Sequence, residues 1–591
     1  MKNIKGRPLC IYSLSIMGLS LLITGCNDND HDQNVKIRSD KELCSIEHLS
    51  KSFTDTHYKV LAVHYFNKDQ NLILGENTIK EDFLAPNNVC VVKVLVGPET
   101  NSNDKGSPSY SEGIGVEVWL PDRAQWNKRI HVKGGGGWAG GEYLNTNYLV
   151  GLGASNSPAT IATIEGAVSA TTDTGHRISG NGSFAMNADG TINTALWKDF
   201  AERGIHEMAV VTKKMTENYY NEKAKYSYWD GFSTGGRQAL KEAQVNPNDF
   251  DGILAGAPAI NWTHFITSEL YPQVVMQQDL GGELLTKKQL DLASNRAIAE
   301  CGNINGQNYG YILDPSTCSY DPSQDKDILC TNENNDECLT SVQAQAINKI
   351  WYGQTEDGSV PNPQIDNSFN LNLSEKQRWY GLTRGTNLEA LAGNKPFGIA
   401  TDLVALIQQD SKIAQPSFIN KMSNGLDYWK YISYQQLNHT QDLGLTLQKE
   451  FSNINTNNPD LSSFNKDGRK LIIYHGLADT LIMPQGTLKY IHEMNKVMGE
   501  QIVNSFMKAY FIPGMGHSYS NGTSNPNANV ALPDHENLYR ALTDWVEKGI
   551  EPSDQVAYTA DRKRSLPICI YPKKISYQSG DISQSSSYKC I

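Results

Sequence analysis

The sequence contains no Cys-x-x-Cys pair, so its ten cysteines argue against a metal-binding role. No run of Lys and Arg follows the first few residues and the net charge is −12, which speaks against a nucleic-acid partner. Internal repeats and sustained heptads are also missing, which excludes a solenoid or a coiled coil. The glycine-rich stretch Gly134 to Gly141 lacks the Gly-Lys-Ser/Thr ending of a phosphate loop. It also lacks the Gly-x-Gly-x-x-Gly helix entry of a dinucleotide site. The apolar run from Leu9 to Ile23 is shorter than the roughly 18 residues that a helical membrane span needs.

That apolar run has another reading. Lys2, Lys5 and Arg7 precede it, and Ile23-Thr-Gly-Cys26 closes it. Residues 1–25 are therefore expected to be a lipoprotein signal peptide, with Cys26 becoming the lipidated N-terminus. Residues 26–42, opening with Asn27-Asp-Asn-Asp-His-Asp32, read as a polar tether. The expected location is the cell envelope, at the outer membrane or cell surface, with the membrane touched only through the lipid. Setting aside Cys10 and Cys26 leaves an even number of cysteines, which in an exported chain argues for disulfides. Sequence alone does not pair them.

Chemistry is carried by Tyr226-Ser-Tyr-Trp-Asp-Gly-Phe-Ser233-Thr-Gly-Gly-Arg237. An aromatic-rich run ends in Gly-x-Ser-x-Gly and passes into the helix formers Gln238 to Gln244, the strand–turn–helix context of a nucleophile elbow. Alone, the pattern is also that of a Gly-Ser surface turn. Two later segments add to it. Arg469-Lys-Leu-Ile-Ile-Tyr-His-Gly476 reads as a buried strand with Asp479 just past its end, and Phe506 to Ile512 as a strand that stops at Pro513-Gly-Met-Gly516 before His517. The order Ser233, Asp479, His517 is that of an α/β-hydrolase triad. Among rival histidines, His475 reads as packed at a strand end, His492 as helical, and His535 as the first turn of a helix reaching Lys548. After the short strand Lys128 to Lys133, the glycine run can bring bare backbone N–H groups to an oxyanion. Gly135 and Gly136 are the expected donors, together with the N–H of Thr234, and a plain flexible turn is the alternative.

The chain resembles the tannase and feruloyl esterase family of serine esterases from about Cys44 to Cys590. The resemblance rests on Thr172-Asp-Thr-Gly-His176, His206-Glu-Met208, the elbow, Asp251-Gly-Ile-Leu-Ala-Gly-Ala-Pro-Ala259 with Asn261-Trp-Thr-His264, Tyr474-His-Gly-Leu-Ala-Asp479, Gly514-Met-Gly-His517 and Trp545-Val-Glu-Lys-Gly549. It implies Ser233 as nucleophile, His517 as general base and Asp479 as the acid that orients it. It also implies a large lid inserted after Pro258, and the disulfides Cys44–Cys90, Cys301–Cys318, Cys330–Cys338 and Cys569–Cys590.

Two departures from the family pattern stand out. Cysteines usually flank the serine and the histidine, and here Phe232 and Ser518 occupy those places, so the chain reads as a variant without an active-site disulfide. The family's aspartate-rich calcium loop is rendered as Cys301-Gly-Asn-Ile-Asn305-Gly-Gln-Asn-Tyr309-Gly310. That loop, 301–314, offers too few carboxylates for a hard divalent cation, so no metal and no cofactor are expected, a structural calcium in this loop being the alternative.

The long stretch between Ser233 and Asp479 requires an insertion. An α/β-hydrolase domain is therefore expected at 43–262 and 466–591, with a lid at 263–465 whose helices include 339–352 and 401–409. Trp379-Tyr380 and Pro396-Phe397 suit stacking on an aromatic acyl ring, and Trp379 and Phe397 are the expected substrate contacts; lid core is their alternative role. The reading is an exported esterase of feruloyl-, galloyl- or related aromatic acid esters. A broad esterase of aliphatic or polyester fragments, and an inactive lipid-anchored binding protein, are the competing readings.

Overall fold

Five parallel strands form the centre of the structure, a computed structural model that describes residues 38–75, 83–98, 106–153, 156–331 and 335–591. The signal peptide, Cys26 and most of the tether lie outside the described residues. In chain order the first eleven strands are β1 (Tyr58–Phe66), β2 (Val89–Val96), β3 (Ile114–Pro121), β4 (Arg129–Lys133), β5 (Ser169–Thr172), β6 (Tyr226–Phe232), β7 (Gly252–Gly256), β8 (Asn303–Ile304), β9 (Gln307–Asn308), β10 (Lys470–Gly476) and β11 (Met507–Ile512), and four short strands follow in the C-terminal segment. The parallel sheet has the order β11-β10-β7-β6-β4. An antiparallel sheet, β1-β2-β3-β5, is joined to its edge by a bridge between Ile130 and Val168.

The sequence of each central strand explains its place. Leu471-Ile-Ile-Tyr474 and Gly252-Ile-Leu-Ala-Gly256 are continuous apolar runs, as expected of parallel strands covered on both faces, and all of these residues are buried. One face packs on the helices Gly204–Tyr220 and Thr234–Val245 through Met208, Val211, Ala239 and Ile473. The other packs on helix His535–Lys548 through Leu538, Leu542 and Trp545. The expected strands at 469–476 and 506–512 form with one-residue shifts, and His535 opens its helix.

Between β7 and β10 the regular structure is mostly helical, with long loops between the helices. Three of its helices, Lys287–Cys301, Ser341–Tyr352 and Tyr434–Thr446, start at capping boxes made by Thr286 with Gln289, Thr340 with Gln343, and Ser433 with Gln436. These helices do not enclose a separate interior. Trp351, Leu403 and Phe451 share one apolar cluster with Trp138, Phe184, Trp197 and Phe200 from before the elbow, and Asp40–Ile591 makes one compact unit. Disulfides join Cys44 to Cys90, Cys301 to Cys318, Cys330 to Cys338 and Cys569 to Cys590. No helix among the described residues is long and apolar enough to cross a membrane.

Candidate active site

Ser233 is the single residue between β6 and helix Thr234–Val245. Its backbone is held at φ 61°, ψ −119°, a strained conformation for a residue with a side chain. The strain is fixed from both sides: Ser233 N–H donates to Gly256 O at 2.9 Å, and its own carbonyl accepts from Ala259 N–H at 3.1 Å. The turn closes only because its neighbours are glycines. A Cβ at Gly231 would stand 2.4 Å from Gly235 O, and one at Gly236 would stand 2.3 Å from Gly256 O. Sharp strand-to-helix geometry thus presents the hydroxyl at the carboxyl edge of the sheet.

Asp479 and His517 sit on the loops after β10 and β11, and the imidazole Nδ1 lies 3.0 and 3.1 Å from the two Asp479 oxygens. The carboxylate is fully buried, and it also accepts from the N–H groups of Leu481 and Ile482, both at 2.9 Å. Burial pushes its pKa up, but His517 and His475 together outweigh this and hold Asp479 well below the usual carboxylate range. With Nδ1–H donating to that anion, Nε2 is the basic nitrogen. His475 is packed as expected: Nδ1 meets Thr487 Oγ1 at 2.9 Å and Nε2 meets Ile482 O at 3.0 Å. His535 is turned to Asp230, 3.1 Å away.

Among the described residues, neither the Ser233 hydroxyl nor His517 Nε2 takes part in a hydrogen bond. Such bonds tighten when substrate is bound. The two loops meet instead through Phe232, whose ring centroid is 4.9 Å from that of His517 and 5.9 Å from that of Tyr474.

The glycine run is placed beside the elbow, and the expected role of Gly135 changes. Gly135 N–H already donates to Gln238 Oε1 at 2.9 Å, so it is not free for an oxyanion, whereas Gly136 is engaged through its carbonyl, which accepts from Ala139 N–H at 2.8 Å. The glycine that lines the cavity with Ser233 and Thr234 is Gly137, at φ +54°, whose carbonyl accepts from Thr234 Oγ1 at 2.7 Å. The N–H of Thr234 opens its helix and has no intrahelical partner there.

The cavity at Ser233 is small, about 20 Å³, and is walled by Trp262, Phe265, Ile266, Glu269, Phe397, Ile399, Leu481 and Ile482. Phe397 is therefore brought to the cavity at Ser233. Trp379 is not: it is 2 % exposed, stacks on His264 with centroids 5.1 Å apart, and packs in the apolar cluster that the inserted segment shares with residues before the elbow. Sequence reading missed Trp262, Phe265, Ile266 and Glu269. A signal was present, because positions 262, 265, 266 and 269 follow the i, i+3, i+4, i+7 spacing of one helical face.

Two groups bear on cations. In the loop after Cys301, Asn303 Oδ1 accepts from Gly306 N–H at 2.8 Å within the β8–β9 turn, and Asn308 Oδ1 accepts from Gly310 N–H at 2.7 Å in the bend after β9, so both oxygens shape local backbone. Asn305, at φ 50°, turns its amide to the Tyr577 hydroxyl instead of to a backbone N–H. His206, Glu242 and Asp249 also converge to within 4.8 Å. There His206 Nδ1 and Asp249 Oδ2 already bond at 2.6 Å, and burial first, with the neighbouring Asp249 second, raises the pKa of Glu242 well above the usual range.

Comparison with known proteins accords with this geometry. The family model described as tannase and feruloyl esterase matches residues 99–591. A probable feruloyl esterase of Arthroderma benhamiae is 33% identical over 515 residues, 85% of each chain. A probable feruloyl esterase B-1 of Aspergillus flavus is 27% identical, over 90% of this chain and 92% of its own. Among solved structures, feruloyl esterase B from Aspergillus oryzae superposes with a TM-score of 0.73 at 23% identity, covering 94% of this chain and all of that one. Tannin acyl hydrolase from Aspergillus niger gives 0.69 at 20% identity, covering 94% and 96%. The match does not set the chain apart as a disulfide-lacking variant, and that expectation is corrected: residues 99–591 fit the family as they stand, with Phe232 packed where the loops meet. With an α/β-hydrolase sheet, a strained serine at its elbow and this extent of similarity, the chain belongs to the tannase and feruloyl esterase family of carboxylic ester hydrolases.

Proposed function

We propose that the protein hydrolyses carboxylic esters of hydroxycinnamic or hydroxybenzoic acids through an acyl-enzyme on Ser233. The observation that carries this reading is a strained serine facing a cavity walled by Trp262, Phe265 and Phe397, with a histidine–carboxylate pair on the adjoining loops. His517 Nε2 takes the Ser233 proton as the oxygen attacks the ester carbonyl, while Asp479 stabilises the imidazolium that forms. Helix N-terminal N–H groups at Thr234 and the Gly137 turn face the developing oxyanion. The imidazolium then protonates the departing alcohol, and water, activated by the same histidine, cleaves the acyl-enzyme. No cofactor enters these steps.

In this reading the segment 263–465 serves as a lid that sets acyl choice, with Phe397 among its residues that line the cavity at Ser233. Four disulfides support an oxidising compartment outside the cytosol. Lipid anchoring at Cys26 is part of the same proposal, and mass spectrometry of the N-terminal peptide from the native host would test it. Activity is tested with methyl ferulate, methyl gallate and p-nitrophenyl acetate on the purified chain. Preference for the aromatic esters by at least about tenfold in kcat/KM is expected; hydrolysis of the acetate alone would favour the aliphatic reading, and no hydrolysis the binding protein.

A further inference from the structure

Helix Trp262–Glu269 presents four residues to the cavity at Ser233, and three of them are apolar. The fourth, Glu269, is 1 % exposed, and its Oε2 has no hydrogen-bond partner. A buried carboxyl atom without a partner is costly and requires an account. No Lys, Arg or His lines this cavity to pair with it. Its other walls are Phe397, Ile399, Leu481, Ile482 and the elbow itself.

We propose that Glu269 is a specificity residue of the acyl pocket, whose carboxyl exchanges a hydrogen bond with a hydroxyl group on the ring of an aromatic acyl substrate. This rests on the aromatic-ester reading above. Burial first, and the nearby negative charge of Asp479 second, raise the Glu269 pKa well above the ordinary glutamate range, so the group enters the pocket neutral. A neutral carboxyl both donates and accepts, which matches a phenolic hydroxyl and avoids placing a second anion beside Asp479. The space now present, about 20 Å³, is that of roughly one water molecule. A ring therefore reaches Glu269 only as the half-buried side chains of Phe397 and Ile399 move aside. Once seated, an acyl group without a polar substituent would leave the carboxyl desolvated and unpaired, and such a site discriminates against it.

The test compares kcat/KM for methyl 4-hydroxycinnamate with that for methyl 4-methylcinnamate, in which a methyl group of similar size replaces the hydroxyl. The wild type should favour the hydroxylated ester by about tenfold or more, the fold-change of one well-made hydrogen bond. Glu269→Leu and Glu269→Met should bring the ratio close to one, and Glu269→Gln should retain a preference. Thermal midpoints of the two apolar variants should equal or exceed that of the wild type, since an unpaired buried carboxyl is removed. A wild-type ratio near one, or a ratio unchanged in both apolar variants, overturns the assignment while leaving the aromatic-ester reading in place. Hydrolysis of p-nitrophenyl acetate but of neither cinnamate overturns the aromatic-ester reading itself, and this inference with it.

Discussion

Phe232 stands edge-on to His517, with ring planes 67° apart and centroids separated by 4.9 Å, so the residue before Ser233 packs directly against the imidazole. The same ring lies 5.9 Å from Tyr474 and 6.4 Å from Tyr519, which places it inside an aromatic group that spans the elbow, β10 and the histidine loop. Ser518 and Tyr519 on that loop have positive φ angles, 63° and 55°, and packing against aromatic neighbours is one means of holding such a backbone.

Loss of this contact should therefore affect turnover more than substrate affinity. Phe232→Ala is expected to lower kcat by about three- to tenfold with little change in KM, because misplacement of the base weakens the transition state. A stability loss of about 1–2 kcal/mol is expected for a half-buried ring. Phe232→Leu should restore part of both. Equal kcat in the alanine variant, measured at saturating methyl ferulate, would remove the bracing role.

Removing the triad residues should be far more severe. Ser233→Ala is expected to reduce kcat by on the order of 10⁴-fold or more, and Asp479→Asn to act through the wrong histidine tautomer by a similar factor. Burst-phase kinetics with an activated ester should show an acyl-enzyme in the wild type and none in Ser233→Ala. A burst that survives this substitution would move the nucleophile elsewhere.

Stability should depend on pH through Asp402, on helix Gly398–Gln408. Its Oδ2 accepts from Trp138 Nε1–H at 3.1 Å and Gly182 N–H at 2.9 Å, which ties the inserted segment to the glycine loop. Burial raises its pKa to about 7, against the lowering effect of those two donors. In the unfolded chain it ionises near pH 4, so between about pH 4 and 7 the native state keeps a proton that the unfolded state releases. Stability from this group is full below that window and is lost as the pH rises through it. Asp402→Asn keeps an acceptor for both N–H groups. It should match the wild type at about pH 4 and below, and exceed it at pH 8 by on the order of 2–4 kcal/mol, read as a higher thermal midpoint. Identical pH profiles for the two proteins would show that Asp402 ionises normally.

The loop after Cys301 should be indifferent to calcium. Asn303 and Asn308 spend their oxygens on backbone N–H groups, and Cys301–Cys318 closes the segment. Thermal midpoints with chelator and with millimolar calcium should agree. A site filled at 100 times its dissociation constant would add about 2.7 kcal/mol and separate the two curves. A chelator-induced drop reversed by calcium would reassign the loop as an ion site.

Much of the catalytic skeleton was determined locally, by the chain itself. Gly231, Gly235 and Gly236 around Ser233 are there because a strand-to-helix turn admits no Cβ, and that requirement leaves a linear trace. The strand-forming runs before Asp479 and His517, and the order of the three residues, are legible for the same reason: each depends on residues adjacent in sequence. Tertiary structure decided what depends on distant partners. Gln238 takes the N–H of Gly135 and leaves Gly137 to face the serine, which no reading of four equivalent glycines could distinguish. Trp379 and Phe397 look alike in the sequence, yet one is packed on His264 and Gly486 while the other lines the cavity at Ser233. Glu269 reads as an ordinary polar residue near a helix end. It becomes an unpartnered acid beside Ser233 only because the helix lays its 262, 265, 266 and 269 face against the elbow, and burial is a property of packing, not of local sequence.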